Sequence, residues 1–250
     1  MKTIGEQSVA EFLGTFALVF IGAGSVVVAA ANGGGYVGLI GVALAHGTVL
    51  AIFVSNFGHI SGSHFNPAVT IGAWVGGKIE TVRGAWYVVA QLAGATAGAG
   101  LLRWVLPEQA WRNASLGATL VSHRLGITNG KAVVIEAILT FFLVTTVYAT
   151  AVDDRGAFKS IAGLTIGLVL VFDILIGGQL TGASMNPARS FGPALIAGKW
   201  TDFWVYLAGP VSGAIIAAAL YSFVFLRSRE VAAPRTATPI GGGPEEDLTQ

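Results

Sequence analysis

Gly58-His-Ile-Ser-Gly62-Ser-His-Phe-Asn66-Pro67-Ala68 and, 120 residues on, Gly178-Gln-Leu-Thr-Gly182-Ala-Ser-Met-Asn186-Pro187-Ala188 are two copies of one pattern. Proline is welcome at the first position of a helix, where no backbone donor is lost. Asparagine is a favoured residue just before it. Each Asn-Pro-Ala therefore predicts a helix start. The apolar stretch behind it is Ala68–Val75 in one copy and Ala188–Ala197 in the other. About ten residues at 1.5 Å each reach roughly half of a 30 Å hydrocarbon core.

A second matched pair lies upstream of each copy. Glu11-Phe-Leu-Gly-Thr15-Phe16 and Glu136-Ala-Ile-Leu-Thr140-Phe141 stand 125 residues apart. Six apolar segments surround these motifs: Val9–Ala31, Val37–Phe57, Gly84–Leu106, Ala132–Val152, Ile161–Gly177 and Phe203–Leu226. A spanning helix needs about 20 apolar residues. Each half of the chain then holds three spans, with its Asn-Pro-Ala loop between the second and third. Three is odd, so the second copy enters the membrane upside down. Inverted repeats place a shared site near the midplane at their interface. The expectation is an all-α membrane protein of six transmembrane helices and two re-entrant half-helices. The half-helices enter from opposite sides and meet at their N-termini. Irregular backbone at that depth survives only where it lines water or is buried in protein.

Composition agrees. The 250 residues are 54% hydrophobic and only 11% charged, with a mean hydropathy of +0.71. A soluble domain carries about 25% charged residues, and between Glu11 and Lys78 this chain has none. A β-barrel would need strands alternating with period two, and these runs are too long and uniform for that. The 35 glycines suit close helix approach in lipid, Ala93-Gly94-Ala95-Thr96-Ala97-Gly98 being a face of that kind. A net charge of +1 argues against a nucleic-acid partner. The absence of Cys excludes disulfides, Cys-ligated metal and thiol catalysis, and neither a metal nor another cofactor is expected. The first apolar segment is too long for a signal peptide and contains Glu11, so it is read as retained.

Lys and Arg set the orientation. With the N-terminus inside, the inner segments hold eight: Lys2, Lys78, Arg83, Arg155, Lys159, Arg227, Arg229 and Arg235. The outer segments hold five: Arg103, Arg112, Arg124, Lys131 and Lys199. Both termini are expected in the cytoplasm, with the cell membrane as the location. Residues 1–227 are expected to form one membrane domain, with repeats at about 5–106 and 130–227. Residues 228–250 lack an apolar period and read as a disordered tail. Asn113-Ala-Ser115 matches a glycosylation acceptor in an outer loop.

Paired Asn-Pro-Ala motifs in inverted three-span halves, the second continuing into Arg189-Ser-Phe-Gly-Pro, resemble the aquaporin (major intrinsic protein) family. The resemblance covers about residues 5–227. It implies six tilted helices around a narrow pore, one pore per subunit of a homotetramer, and a passive channel rather than an enzyme. Pro67 and Ala68, and Pro187 and Ala188, would complete the central constriction. There the Asn66 and Asn186 amides and two half-helix dipoles would orient each passing water and interrupt proton relay.

The family builds its narrow filter from four side chains at set spacings from these motifs, here His46, Ile174, Ala183 and Arg189. His-Ile-Ala-Arg resembles the filters of plant tonoplast intrinsic proteins. These pass water and often ammonia, urea or hydrogen peroxide, with protons and ions excluded. A glycerol-preferring facilitator is the nearest alternative. That branch has an Asp after the Arg, where this chain has Ser190, although Leu207 after Tyr206 is a glycerol-type choice. A closed pore serving as a structural membrane protein is the alternative from another class. His123 resembles an outer-mouth histidine of the tonoplast subfamily, with an ordinary solvated loop histidine as the other reading. His64 is expected at the inner vestibule, either bracing its loop or gating by pH. Glu11 and Glu136 lie inside spans, where a carboxylate is costly unless hydrogen-bonded. They are read as braces for the two motif loops. Asp173 adjoins Ile174, and the sequence does not choose its orientation.

Overall fold

The computed structural model describes residues 2–155 and 159–226; the tail expected to be disordered lies outside the described residues. Among the described residues nine α-helices follow in order: α1 (Ile4–Ala31), α2 (Gly35–Ser61), α3 (Pro67–Val75), α4 (Thr81–Val105), α5 (Glu108–Asn113), α6 (Asn129–Val147), α7 (Ala162–Gly177), α8 (Pro187–Ala197) and α9 (Val205–Leu220). Helices α6 and α9 each widen into π-type turns, at Tyr148–Val152 and Tyr221–Leu226.

The inverted repeat is visible in the packing. Helix α1 lies along α4 in the first half, as α6 lies along α9 in the second. Helices α2 and α7 pack on each other across the pseudo-twofold axis. Each half-helix rests on the last span of the opposite half, α3 on α9 and α8 on α4. Small residues make these approaches possible. A Cβ on Gly98 would stand 2.8 Å from the Phe16 carbonyl oxygen of α1, and one on Gly47 would stand 2.6 Å from the Gly167 carbonyl of α7. The face read from Ala93–Gly98 is thus the α1–α4 contact.

Five helices among the described residues are long and apolar enough to span. The sixth, α7, has 16 residues and reaches about 24 Å. It is shorter than the usual span because a turn at Gly177–Thr181 leads directly into the second motif loop. The expected spans are otherwise recovered with shifted ends. Helix α1 begins earlier, at a Thr3–Glu6 capping box, and α2 runs on to Ser61, where Gly62 in the left-handed region stops it. Large apolar side chains such as Val9, Ile52, Val89, Phe142 and Ile216 face outward, the inverse of a soluble surface.

Candidate functional site

Both half-helices begin as their sequences dictate. Asn66 and Asn186 are extended N-caps. Asn66 Oδ1 accepts from Ala68 N at 2.8 Å, and Asn186 Oδ1 accepts from Ala188 N at 3.0 Å and Arg189 N at 3.2 Å. Pro67 and Pro187 are the first helical residues. Each amide then reaches across the axis. Asn66 Nδ2 donates to the Met185 carbonyl and Asn186 Nδ2 to the Phe65 carbonyl, both at 2.8 Å. The two N-termini therefore meet, and the crossed bonds fix each amide by the other half's backbone. An amide nitrogen carries two N–H groups, so one remains on each Asn beyond these bonds.

The loops before the caps are strained in the same way. Ser63 and Phe65 have φ of 52° and 49°; Ala183 and Met185 have 45° and 51°. Left-handed backbone is unfavourable for such residues, so something must hold it. Glu11 does so in the first half. Its carboxylate accepts from Ser61 Oγ (2.6 Å), His64 N (3.0 Å), Phe65 N (2.6 Å) and Gln91 Nε2 (2.8 Å). Glu136 does so in the second, accepting from Thr181 Oγ1 (2.7 Å), Ser184 N (2.9 Å) and Met185 N (2.8 Å). Both carboxylates are fully buried. Tyr87 and Tyr206, 119 residues apart, complete the parallel by donating to the Ser61 and Thr181 carbonyls at 2.8 and 2.7 Å.

Arg189 projects from the first turn of α8. Its Nη1 donates to the Gly117 carbonyl of the third loop at 2.7 Å, and its Nη2 lies 3.3 Å from His46 Nε2. His46 Nδ1 lies 2.9 Å from the Val42 carbonyl. A carbonyl only accepts, so Nδ1 carries the proton, and Nε2 faces the guanidinium as an acceptor. Gly22 makes room for the ring: a Cβ there would stand 2.6 Å from His46 Cδ2. Behind Arg189 runs a chain of hydroxyls. Thr119 Oγ1 and Ser184 Oγ each lie 2.6 Å from Ser190 Oγ, and Ser184 Oγ donates to the Asn186 carbonyl at 2.9 Å.

Two cavities follow the bundle axis. The inner, of about 500 Å³, runs from Ser55, His59 and Ser160 past His64, Asn66 and Asn186 to His46, Ile174, Ala183 and Arg189. The outer, of about 300 Å³, is lined from Gly34 to Thr119 and reaches His46, Ile174 and Arg189. Those three residues are the shared wall. Three of the four side chains expected to form a filter thus stand where the two spaces meet, and the fourth, Ala183, lines the inner space only.

Other expectations have different fates. His64 lines the inner cavity, and its Nδ1 lies 3.0 Å from Thr70 Oγ1. His123, expected at the outer mouth, does not line the outer cavity. Its Nε2 pairs with Asp202 Oδ2 at 2.7 Å, and its Nδ1 lies 2.9 Å from the Ile127 carbonyl. The third loop turns at Gly117–Thr119 to meet Arg189 and Ser190, which leaves His123 against the turn before α9. The bond to Asp202, then that to Ile127, holds the imidazole above its usual range, while His123 holds Asp202 below the usual carboxylate range. Asp173 is fully buried and lines neither cavity, and its carboxylate oxygens have no partner among the described residues. Leu207 is 44% exposed on the outside of the bundle, so it does not bear on the lumen. Sequence reasoning missed Gly117, Tyr87, Gln91 and Tyr206; their bonds span from 25 to 80 residues of chain and leave no local pattern.

Comparison with known proteins gives a consistent result. The sequence profile of the family described as Major intrinsic protein matches residues 2–221. A Medicago truncatula protein described as "Probable aquaporin TIP-type" is 44% identical over 236 residues, covering 92% of this chain and 91% of that one. "Aquaporin TIP4-4" of Zea mays is 46% identical over 223 residues, covering 87% and 85%. Among solved structures, the aquaglyceroporin from Plasmodium falciparum aligns with a TM-score of 0.79 at 26% identity, over 92% of this chain and all of that one.

Proposed function

The chain belongs to the major intrinsic protein family, and from that premise we propose that it is a passive channel for water and for small neutral solutes such as ammonia, urea or hydrogen peroxide, closed to protons and ions. The observation that carries this is the meeting of two cavities at His46, Ile174 and Arg189, with Arg189 in the first turn of α8, three residues from Asn186, whose amide opposes that of Asn66.

Ile174 and Ala183 bring no polar group to the narrow place, which leaves Arg189 and His46 to offer hydrogen bonds. Arg189 spends Nη1 on Gly117 and faces His46 with Nη2. Its permanent charge repels cations in a low-dielectric setting. At the centre, the remaining N–H of Asn66 and of Asn186 and the positive ends of α3 and α8 favour a water oxygen over a proton donor. A file of waters is thereby split into two opposed halves. Nothing is transformed chemically, so no enzymatic role is assigned.

Both cavities are lined by residues of a single chain, so a homotetramer, which the proposal includes, would carry four independent paths. The Lys and Arg bias supports cytoplasmic termini. The proposal places the protein in the cell membrane; an internal membrane, suggested by the tonoplast-like filter, is the competing site, and membrane fractionation separates them.

Stopped-flow light scattering on proteoliposomes tests the function. Fast osmotic shrinkage, with ammonia and urea admitted and glycerol excluded, is the expected result. Glycerol admitted as readily as urea refutes the solute range in favour of a glycerol facilitator. Permeability no higher than bare lipid refutes conduction. Arg189→Val should admit larger solutes and weaken cation exclusion; unchanged selectivity would remove Arg189 from the filter.

A further inference from the structure

A third cavity, of about 420 Å³, lies beside the lumen at the inner end, the end that carries Lys78 and Arg83. Gln7 of α1, the Lys78–Glu80 link, Arg83 of α4 and Tyr148 of α6 contribute to its wall. It borders the inner lumen along Gly62, His64, Val69, Val147 and Ala151.

Most polar groups of this wall are already engaged. Tyr87 Oη is bonded to the Ser61 carbonyl, Tyr148 Oη to the Gly72 carbonyl, Ser61 Oγ to Glu11, and His64 Nδ1 to Thr70. A few are not. Among the described residues, Arg83 Nε is buried without a partner, and so is Oε1 of Gln7, a side chain 8% exposed whose Nε2 is held by the Ile60 carbonyl at 3.3 Å. That bond fixes which end of the amide is free. Lys78 makes no ion pair among the described residues, and Arg83 meets Glu80 only at 3.8 Å, through a Glu80 side chain 80% exposed to solvent. Helix α4 starts at Thr81 with no side chain capping it, so its first-turn N–H groups and the positive end of its dipole are available.

Two cations, an orphaned guanidinium N–H and an uncapped helix start call for an anion with several oxygens. Gln7 Oε1 calls for a donor on the same molecule. A halide has no oxygens and fails the first demand, and a simple carboxylate has no hydroxyl to meet the second. We propose that this cavity binds a phosphate ester carrying a free hydroxyl or an acidic P–OH, with its phosphate oxygens on Arg83, Lys78 and the start of α4 and its hydroxyl on Gln7 Oε1. Basic pockets between spanning helices on the cytoplasmic side are where such groups are bound, either free or as lipid headgroups. The occupant touches His64 and Val147, which also line the lumen, so it restricts the inner vestibule. That last consequence rests on the channel reading; binding does not.

The test uses the full-length protein in phosphatidylcholine nanodiscs. One arm titrates inorganic phosphate by calorimetry and melting temperature, and the other compares nanodiscs with and without phosphatidylinositol 4-phosphate. The expected result is saturable binding and a raised melting temperature in at least one arm. Free phosphate acting alone assigns a soluble ligand, and the lipid acting alone assigns a headgroup. Lys78→Gln with Arg83→Gln should bind at least about tenfold more weakly, the loss of one charge-assisted bond being of that size. Glu80→Gln should bind more tightly, because it removes the one competing carboxylate, and this variant serves if the double one fails to fold. Gln7→Leu should weaken binding while retaining the parent's melting temperature without ligand. No binding in either arm overturns the site, as does equal binding by parent and Glu80→Gln. A protein that binds phosphate here yet conducts nothing keeps the site and loses the channel; one that conducts but binds no phosphate does the reverse.

Discussion

Replacing Glu136 by Gln tests whether the carboxylates hold the motif loops or merely occupy them. The carboxylate accepts three hydrogen bonds, two on Oε1 and one from Met185 N on Oε2. A Gln side chain keeps one acceptor oxygen. With that oxygen toward Thr181 and Ser184, its amide N–H₂ confronts the Met185 N–H, donor against donor. A stranded buried donor costs about 1–3 kcal/mol, and each surviving bond loses about 1 kcal/mol as it ceases to be charge-assisted. Relief from burying a charge returns part of this, leaving about 3 kcal/mol. For a chain of this size that corresponds to a fall of roughly 6–12 °C in melting temperature. The loss is concentrated at Met185, whose left-handed φ of 51° has no other support in the bond pattern, and whose carbonyl positions the Asn66 amide. Water permeability per folded channel should therefore fall as well. Glu11→Gln should be milder, at about half the shift. Gln91 lies against Glu11, and its own Oε1 has no partner, so it can turn to accept from the new amide. The matching position 119 residues on is Pro210, which offers Glu136 no such relief. Melting in detergent and stopped-flow permeation, each normalised to folded protein, decide the matter. A Glu136→Gln protein that melts and conducts as the parent does would refute the bracing account. So would a Glu11→Gln protein damaged more than Glu136→Gln.

Other consequences can be checked in the same preparations. His123 and Asp202 form a pH-limited clasp: His123, shifted up, contributes below its ordinary pKa and stops as pH rises through the raised value, while Asp202, shifted down, contributes above its ordinary pKa and stops as pH falls through the lowered one. Protection of the third-loop amides, taken relative to the intrinsic exchange rate at each pH, should therefore be greatest in the mildly acidic window between them and decline toward alkaline pH, and His123→Ala should flatten that dependence. Asp173→Val removes a buried carboxyl whose oxygens have no partner among the described residues, so melting should rise by the equivalent of about 1 kcal/mol or more with permeation unchanged; a lower melting temperature would reveal an uncounted partner. Gly22→Ala places a methyl group against the His46 ring, which breaks the Val42 bond or displaces the ring from Arg189, so the urea-to-water permeability ratio should change while the spans stay intact.

How much of this could be read from the chain depends on how far each determinant acts. Asn66-Pro67 and Asn186-Pro187 are local: a cap and a first-turn proline lie side by side in sequence, so the half-helices were legible to within one residue. Glu11 and Glu136 were legible as costs, since a carboxylate in an apolar span must find donors, and the recurrence of each beside a matching motif pointed to the loop that supplies them. What stayed hidden is what closes through space. Nothing around Gly117 says that its carbonyl receives Arg189, and nothing around His123 says that the third loop has already turned inward before reaching it. The filter positions show both regimes at once. Arg189 and Ala183 stand within three residues of Asn186, where backbone geometry carries them. His46 and Ile174 come from helices whose register against the motif is set by glycine contacts such as Gly47 on Gly167, and only the resemblance to a known family gave their spacing. The strained φ at Phe65 and Met185 sharpens the point. No propensity favours a left-handed Phe or Met, so the conformation exists only because a glutamate more than 45 residues upstream accepts from each backbone nitrogen. The two asparagines acquire their positions from that distant support, and a channel centre built this way should fail at the carboxylate before it fails at the motif.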